Sequence, residues 1–368
     1  MIFLTWHLGK KLGEGTFAIV YQGYFRANPQ RLVAIKKFKI PSQPEQRSEG
    51  LNVDSIREIK YLQELSHPSI VGLLDVFSTK DETINMVIEY FSNGNLEQLI
   101  RDKSVAYGAA DVKAWMGMLS RAIYFCHSHF VLHRDIKPNN LLIAEDGEVK
   151  LADFGLARSF ADPYANMTPV VITLWYRPPE LLFGARHYSG AVDVWSMGMV
   201  LAELLLRVPY AATMSDKEIA QLETICDAVG TPSEANWPGV SSLPNYVDLD
   251  SSHHHVPVRG RDYYMTKFPT AGPQGVDLLM SMLKLDPRNR PSAKAILEHS
   301  WWSVAPAPTE LENLPRQGGG SEKMARDVGK KPGVVAENSG DGTGRRDRDG
   351  DENLFPSVAR KLDFSSMR

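Results

Sequence analysis

The segment His133-Arg134-Asp135-Ile136-Lys137-Pro138-Asn139-Asn140 carries three side chains with complementary chemistry. Asp135 is a carboxylate that can accept a proton, Lys137 is an ammonium that can steady a phosphate, and Asn140 is an amide that can bind Mg²⁺. Pro138 predicts a turn, so one loop can place the proton acceptor and the metal ligand around a single phosphate. Any three of these residues would also fit a polar surface turn, but the ordered set H-R-D-x-K-x-x-N indicates phosphoryl transfer.

A second candidate metal ligand follows the short, largely apolar run of residues 149–152. Asp153-Phe154-Gly155 combines an acid, a large apolar residue and a flexible glycine. An acid at the end of a strand and beside a flexible position fits a second Mg²⁺ ligand on a hinge. Asn140 and Asp153 are therefore the two predicted metal-binding residues.

Two upstream segments complete a pattern that resembles the eukaryotic protein kinases. They are Gly13-Glu14-Gly15 and Val33-Ala34-Ile35-Lys36, and the resemblance runs from about Leu8 to Trp302. It implies an α+β, bilobal protein kinase fold, with a β-rich N-lobe that contains one large helix and a mostly α-helical C-lobe. It also implies ATP and Mg²⁺ as cofactors. We expect the N-lobe at residues 1–91, the C-lobe at 92–302 and a largely disordered tail at 303–368, where composition shifts towards Gly, Pro and charge.

Several elements that must position these residues can be predicted from hydrophobic periodicity. The stretch Leu8 to Lys39 predicts a strand, a tight loop and two further strands. A helix that carries Glu58 on its apolar face follows, because Leu62 and Leu65 recur at helical spacing, and Lys36 is the expected partner of Glu58. The apolar sequence around residues 193–198 predicts a helix buried in the C-lobe.

The resemblance assigns a nucleotide site to the N-lobe and the segment that joins the lobes. The backbone of Glu89 and Phe91 would bind adenine, and apolar side chains would enclose it. The glycine loop, which contains Gly13-Glu14-Gly15, would cover the phosphates. Each apolar residue would also fit an ordinary protein core. The expected ATP-binding residues are Leu12, Gly13, Glu14, Gly15, Thr16, Phe17, Ala18, Ile19, Val20, Ala34, Lys36, Glu58, Glu89, Phe91 and Leu142.

Composition limits the other function classes. The 368 residues are 43% hydrophobic and 23% charged, which is enough for two packed lobes, and the net charge is −3. This charge gives no reason to expect direct nucleic-acid or membrane binding. Two cysteines are too few for a disulfide framework, and no signal peptide is visible, so we expect a soluble intracellular protein.

Three arginines suggest how the kinase is switched. A phosphate on Thr168 carries about two negative charges and could bind Arg57, Arg134 and Arg158. We therefore expect Thr168 to be an activating phosphorylation site. Asp162 stands where relatives often have a phosphorylatable serine and could supply part of that charge. In the later part of the chain, Glu180 is expected to pair with Arg290.

The sequence Asn52 to Glu58 resembles the cyclin-contacting helix of cyclin-dependent kinases. Its continuation from Ile59 to Pro68, residues 180–186 and 207–209, and the Lys361-Leu362-Asp363-Phe364 end are most similar to the family of the CDK-activating kinase. That family phosphorylates the activation segments of cyclin-dependent kinases and the C-terminal repeats of RNA polymerase II. The resemblance also places Ile172 beside the pocket for the residue after the target hydroxyl, which implies Ser-Pro or Thr-Pro substrates. The resemblance implies an H-type cyclin, a RING-domain assembly factor and general transcription factor H as partners. It implies a nuclear location, with the cytoplasm as a second one.

Two alternatives remain open from the sequence. One is another cell-cycle or transcriptional cyclin-dependent kinase. The other is a pseudokinase that acts as a binding scaffold, although the four residues whose loss would favour it (Lys36, Asp135, Asn140 and Asp153) are all present.

Overall fold

A computed structural model describes most of the chain outside the two termini. The described residues are 6–15, 18–39, 53–79, 83–160, 174–249, 255–316 and 360–361. The expected Thr16, Phe17, Asp162 and Thr168 lie outside these ranges.

The N-lobe is built on an antiparallel sheet. Its strands follow each other in space as β1-β2-β3-β5-β4, and the short β10 adds to β4. They are β1 (Trp6–Glu14), β2 (Ala18–Phe25), β3 (Asn28–Phe38), β4 (Leu73–Ser78), β5 (Ile84–Glu89) and β10 (Arg360–Lys361). The predicted strand, tight loop and two further strands at the start of the chain are confirmed.

One large helix, α1 (Val53–Glu64), packs on this sheet. Ile59 and Leu62 of α1 share the main core with Val76 of β4 and Met86 of β5. On the opposite face, Trp6, Val33, Ile35 and Val87 form a second, smaller cluster. Alternate strand residues therefore bury apolar side chains on both faces of the sheet.

The C-lobe is mostly helical. Its helices are α2 (Leu96–Arg101), α3 (Ala109–Ser128), α4 (Pro179–Leu182), α5 (Ala191–Leu206), α6 (Glu218–Val229), α7 (Arg261–Lys267), α8 (Gly272–Met282) and α9 (Ala293–Leu297). Four short strands lie between α3 and α4: β6 (Val131–Leu132), β7 (Leu141–Ile143), β8 (Val149–Leu151) and β9 (Arg158–Ser159). The predicted α+β bilobal fold is confirmed.

Local chemistry explains where the C-lobe begins. Asn95 accepts a hydrogen bond from the Gln98 backbone at 3.0 Å, and the Gln98 side chain accepts one from the Asn95 backbone at 3.2 Å. This reciprocal capping box starts α2 directly after the segment that joins the lobes. Helix α5 is buried from Val192 to Leu204, as its apolar sequence predicts, and forms the centre of the C-lobe.

Residues 304–316 pack against the C-lobe, whereas the sequence placed them in the tail. Lys113 of α3 donates hydrogen bonds to the carbonyls of Val304 at 2.6 Å and Pro306 at 2.9 Å. Arg316 donates to the carbonyls of Glu145 and Asp146, both at 2.6 Å. The packed C-lobe therefore extends past 302 to Arg316. The composition of this segment did not indicate these contacts, because they are made mainly through backbone carbonyls.

Two further findings concern the described residues as a whole. Cys126 and Cys226 are both buried free thiols. Across the described ranges, no helix combines the length and apolar character needed to cross a bilayer.

Candidate active site

The catalytic candidates lie in the loop between β6 and a one-turn 3₁₀ helix, Pro138–Asn140. Lys137 Nζ lies 2.7 Å from Asp135 Oδ2. The Asn140 amide nitrogen donates to the same oxygen at 2.9 Å and to the Asp135 backbone carbonyl at 2.8 Å. The structure therefore brings Asp135, Lys137 and Asn140 together, with the carboxylate held between an ammonium and an amide.

Asp193, in the first turn of α5, fixes the backbone of the loop that carries Asp135. Its carboxylate accepts the backbone N–H groups of His133 at 3.0 Å and Arg134 at 2.8 Å, and it lies 2.8 Å from His127 Nε2. Burial works to raise the pKa of Asp193, but the hydrogen bonds from the His127 ring and the Arg134 backbone N–H hold that pKa below its usual value. A fully buried anion on the central helix thus fixes the backbone next to Asp135.

His133 is neutral and shapes the loop through both ring nitrogens. Its Nε2 lies 3.0 Å from the Ala152 carbonyl, and its Nδ1 accepts the Asp135 backbone N–H at 3.3 Å. Complete burial lowers the pKa of His133 against the opposing pull of Asp193 and Asp135. A neutral ring that donates from Nε2 links the Asp135 loop to the residue before Asp153.

Lys36 and Asp153 lie together on the N-lobe side of the cleft. Lys36 Nζ lies 2.7 Å from Glu58 Oε2 and 3.5 Å from Asp153 Oδ1, so the predicted ion pair between Lys36 and Glu58 is present. Burial lowers the pKa of Lys36, but the charges of Glu58 and Asp153 outweigh it and raise that pKa. Lys36 is therefore a fixed cation in the cleft.

Asp153 stands in an unusual backbone conformation, with φ of 65° in the left-handed region. Burial acts to raise its pKa, yet the charges of Lys36 and Lys137 and a hydrogen bond from the Gly155 backbone N–H lower it on balance, so the carboxylate is ionised. Because Asp153 interacts with both Lys36 and Lys137, it connects the two halves of the cleft.

The donor set at Asn140 and Asp153 fits Mg²⁺. The Asn140 amide nitrogen is occupied by Asp135, which leaves the amide oxygen as its metal-facing acceptor. The Asp153 side chain is 46% exposed despite its buried surroundings, so its oxygens are open to the cleft. Carboxylate and amide oxygens are ligands that a hard cation prefers.

The expected adenine-binding residues are distributed over both lobes. Strand register sets Val20 opposite Lys36 and Ala34 opposite Ile88, while Leu142 of β7 bridges to Asn95 from the C-lobe side. Ala18 and Ile19 lie beside Val20 on β2, and Leu12 is 41% exposed near the end of β1. The register places Val20, Ala34 and Lys36 on one face of the N-lobe sheet, because opposite residues and residues two apart on a strand share a face.

Hydrogen bonds at Gly15 and ion pairs at Glu14 hold the glycine loop in place. The Gly15 N–H donates to the Ala18 carbonyl at 2.9 Å, and Lys39 donates to the Gly15 carbonyl at 2.9 Å. A Cβ added to Gly13 would meet nothing within 4 Å. Lys11 and Lys39 lower the pKa of Glu14 to about 2, so this loop carries a permanent carboxylate.

The segment that joins the lobes contains an ion pair that the sequence did not predict. The Glu89 carboxylate lies 2.8 Å from Lys150 Nζ on β8 and accepts the Gly72 backbone N–H at 2.6 Å. Only the backbone of Glu89 was expected to act at the nucleotide site. The acid at the end of a largely apolar strand was the available signal, but it did not identify Lys150 as the partner.

The three predicted phosphate-binding arginines converge on the residues after Asp153. Arg57 donates to the Gly155 carbonyl at 3.3 Å, Arg134 donates to the Leu156 carbonyl at 2.7 Å, and Arg158 belongs to β9. Arg134 and Arg158 both act on Tyr188, which accepts a hydrogen bond from Arg134 at 2.7 Å. Arg57 also pairs with Asp54 at 2.6 Å. Thr168 itself lies outside the described residues.

Residues 176–180, which follow the segment that contains Thr168, are fixed to the C-lobe by buried polar pairs. The Glu180 carboxylate takes two bonds from Arg290, at 2.6 and 2.8 Å, which confirms the predicted pair. Tyr176 donates to Glu203 at 2.8 Å, and its carbonyl accepts from Ser196 at 2.9 Å. These contacts fix residues 176–180 to the core of the C-lobe.

Sequence reasoning missed two other positioning residues, Asp193 and His133. The signal for Asp193 was an acid at the start of a helix whose other residues are nearly all apolar. For His133 the signal was its place beside the Arg134-Asp135 pair. Neither signal reveals which backbone groups such a side chain would bind.

Comparison with known proteins agrees with this geometry. Residues 6–302 match the protein kinase domain family. The chain is 43% identical to the serine/threonine-protein kinase KIN28 of Saccharomyces cerevisiae, over 83% of this chain and 95% of the relative. It is 45% identical to cyclin-dependent kinase 7 of Xenopus laevis, over 83% of each chain.

A solved structure shows the same relationship. A chain of the CAK complex from Chaetomium thermophilum bound to ATP-gamma-S superimposes with a TM-score of 0.79 and 57% sequence identity, covering 85% of this chain and 95% of that one. The predicted resemblance to the CDK-activating kinase family is confirmed. The chain therefore belongs to the protein kinase family, as an ATP-dependent serine/threonine kinase of the cyclin-dependent group.

Proposed function

We propose that this chain is the catalytic subunit of a CDK-activating kinase. In this role it transfers the ATP γ-phosphate to the activation segments of cyclin-dependent kinases and to the C-terminal repeats of RNA polymerase II. The observation that carries the proposal is the 57% identity to a chain of the CAK complex over 85% of this chain.

The geometry supports direct transfer to a substrate hydroxyl. Asp135 accepts the hydroxyl hydrogen, while Lys137, 2.7 Å away, neutralises the phosphate that moves past it. Lys36 is held by Glu58 to contact the other phosphates. Asn140 and Asp153 would hold Mg²⁺, which shields the charge of the phosphates when it is bound. Catalysis in this arrangement depends on positioning and charge rather than on a covalent intermediate.

The surface of α1 supports a cyclin partner. Ile56 is 45% exposed, one position before Arg57, although apolar residues elsewhere on α1 are buried. On the other side of the same helix Glu58 reaches Lys36, so a partner that presses on α1 also acts on the active-site ion pair. We propose an H-type cyclin as this partner, with a RING-domain assembly factor and general transcription factor H as the larger assembly.

Thr168 is the proposed activating phosphorylation site. Arg57, Arg134 and Arg158 already lie around residues 155–158, next to the segment that contains Thr168. A phosphate there would take charge-assisted bonds from all three and order the segment. Pro169 follows Thr168, which favours a proline-directed kinase as its modifier. For this chain's own substrates we propose Ser-Pro and Thr-Pro sites, and we propose that it acts in the nucleus.

The experiment is copurification followed by a substrate comparison. Tagged full-length chain is isolated from its own cells, and the bound proteins are identified by mass spectrometry; an H-type cyclin and a RING-domain protein are expected. The complex is then assayed on a kinase-dead cyclin-dependent kinase and on an RNA polymerase II repeat peptide, with the Asp135→Asn complex as the control.

Two results would contradict the proposal in different ways. Phosphorylation of generic Ser-Pro peptides without either proposed substrate would indicate another cyclin-dependent kinase. A Thr168→Ala complex as active as the wild type would overturn the role of Thr168 alone. The scaffold alternative receives no support, because Lys36, Asp135, Asn140 and Asp153 converge in one cleft.

A further inference from the structure

The edge of the N-lobe sheet at β4 receives a strand from the far end of the chain. Arg360 pairs with Ser78 and Lys361 pairs with Phe77 in antiparallel register. Without β10, β4 would be an edge strand whose outward N–H and C=O groups have no strand partner. Such an edge is a site for β-strand addition, in which main-chain hydrogen bonds supply the affinity.

We propose that β4 is a docking site for the C-terminal segment of the same chain. The occupant is the pair Arg360–Lys361, and we call this pairing within one chain the intramolecular strap. Arg316, the last described residue before the pair, binds the carbonyls of Glu145 and Asp146 on the C-lobe. The next described residues, Arg360 and Lys361, lie on the N-lobe at β4.

Chain length allows this connection and favours it over pairing between two molecules. Residues 317–359 separate the two ends, and an extended chain of that length spans up to about 140 Å. A two-residue pairing contributes too little free energy to hold separate molecules together at ordinary protein concentrations. A covalent linker raises the effective concentration to the order of mM, so even this short pairing can be populated within one chain.

Docking at β4 can affect the active site through helix α1, which packs directly on β4. Val76 of β4 is 5% exposed and shares the core with Ile59 and Leu62 of α1. Helix α1 carries Glu58, the partner of Lys36. A strand that rigidifies β4 therefore stabilises the support of α1, and the C-terminal segment becomes a positioning element for the Lys36–Glu58 pair.

Hydrogen–deuterium exchange on the full-length complex tests this proposal. The double variant Arg360→Pro/Lys361→Pro removes two backbone donors and prevents strand pairing, since proline has no N–H. We expect about tenfold faster exchange at the β4 amides of Phe77 and Ser78, the two residues that pair with β10, and faster exchange in α1. Arg345→Pro/Arg346→Pro is the matched control, with the same change in charge and proline content but outside the pairing segment, and should exchange as the wild type does.

A rescue experiment identifies the occupant. A chain that lacks residues 353–368 should show the fast exchange of the double variant, and a synthetic peptide of those residues at millimolar concentration should restore protection, whereas a scrambled peptide should not. Equal exchange in wild type and double variant would overturn the docking site. Protection that disappears on dilution of the wild type would show that a second copy supplies the strand and would overturn the intramolecular strap. Unchanged exchange in α1 would overturn its positioning role.

Discussion

Lys150 and Glu89 form a partly buried ion pair between β8 and β5, with Nζ and Oε2 2.8 Å apart. Lys150 lies three positions before Asp153, and Glu89 ends the strand that leads into the joining segment. The same carboxylate also accepts the Gly72 N–H. The pair thus joins the strand that precedes a metal-binding candidate to the strand whose last residue we expect to bind adenine through its backbone.

Lys150→Met tests whether this pair positions the nucleotide site. The variant removes one partner of Glu89 while the bond to Gly72 remains, so we expect a loss of about 1 kcal/mol in the free energy of unfolding and a KM for ATP raised about threefold. Thermal unfolding and initial rates at varied ATP measure both. Lys294→Met is the control, because its pair with Glu298 is long at 3.7 Å and exposed. Equal effects in the two variants would rule out a specific role.

The ion pair between Lys36 and Glu58 predicts a large effect on catalysis when Lys36 is replaced. Lys36→Met removes the fixed cation from the phosphate site, so we expect kcat/KM to fall by roughly 10²–10³-fold. The matched control is Lys37→Met, the next residue along β3, whose side chain points to the opposite face of the sheet. A fall in kcat/KM of less than threefold is expected there, and phosphotransfer by the assembled complex measures both. A Lys36→Met complex that retains full activity would contradict the assignment of the phosphate site.

The buried pair of Glu180 and Arg290 predicts a large effect on stability. Both side chains are almost fully buried, at 3% and 0% exposed, so removal of one leaves an uncompensated charge. Arg290→Met should reduce the free energy of unfolding by roughly 3–5 kcal/mol. Denaturant unfolding measures this, with Arg261→Met as control because its pair with Asp277 is half exposed. In the double variant Glu180→Met/Arg290→Met the loss should be smaller than in Arg290→Met alone; a strictly additive result would show that the pair does not act as a unit.

The sequence predicted those parts of the molecule whose chemistry demands fixed residue types. The Asp135 loop was expected from its ordered motif, and the pair of Lys36 and Glu58 because an acid on the apolar face of a helix needs a partner. The pair of Glu180 and Arg290 was implied by the resemblance to protein kinases. The buried helix α5 was predicted because an apolar face wide enough to surround the helix can only lie in a core.

The contacts that escaped prediction join groups with no distinctive sequence signal. Lys113 and Arg316 bind backbone carbonyls, which every residue offers, so their partners at 304–306 and 145–146 could not be read from side-chain types. The pair between Glu89 and Lys150 depends on how β5 and β8 meet across the lobes. Pairing of β10 with β4 depends on main-chain hydrogen bonds, and the apolar pattern near the C-terminus allowed docking without identifying the strand that would receive it.

The carboxyl group of Glu203 predicts a pH dependence of stability. Burial raises its pKa to about 7 from an ordinary value of 4.5, against the hydrogen bond from Tyr176, which lowers it. Between these two pH values the folded protein keeps a proton that the unfolded chain loses. The protonated carboxyl therefore stabilises the fold fully below pH 4.5, and this contribution is lost as the pH rises through about 7.

Glu203→Gln should remove that dependence, because glutamine can still accept the Tyr176 hydrogen bond but does not ionise. The stability difference between variant and wild type should shift in favour of the variant by roughly 2–3 kcal/mol between pH 5 and pH 8. Denaturant unfolding of both proteins at a series of pH values measures it. Glu234→Gln is the control, since the pKa of that exposed carboxyl is lowered to about 2 by Ser241 and nearby backbone N–H groups, and it does not titrate in this window. Parallel stability curves for wild type and Glu203→Gln would show that Glu203 is ionised throughout the range from pH 5 to pH 8. That result would contradict a raised pKa of Glu203 in the folded protein.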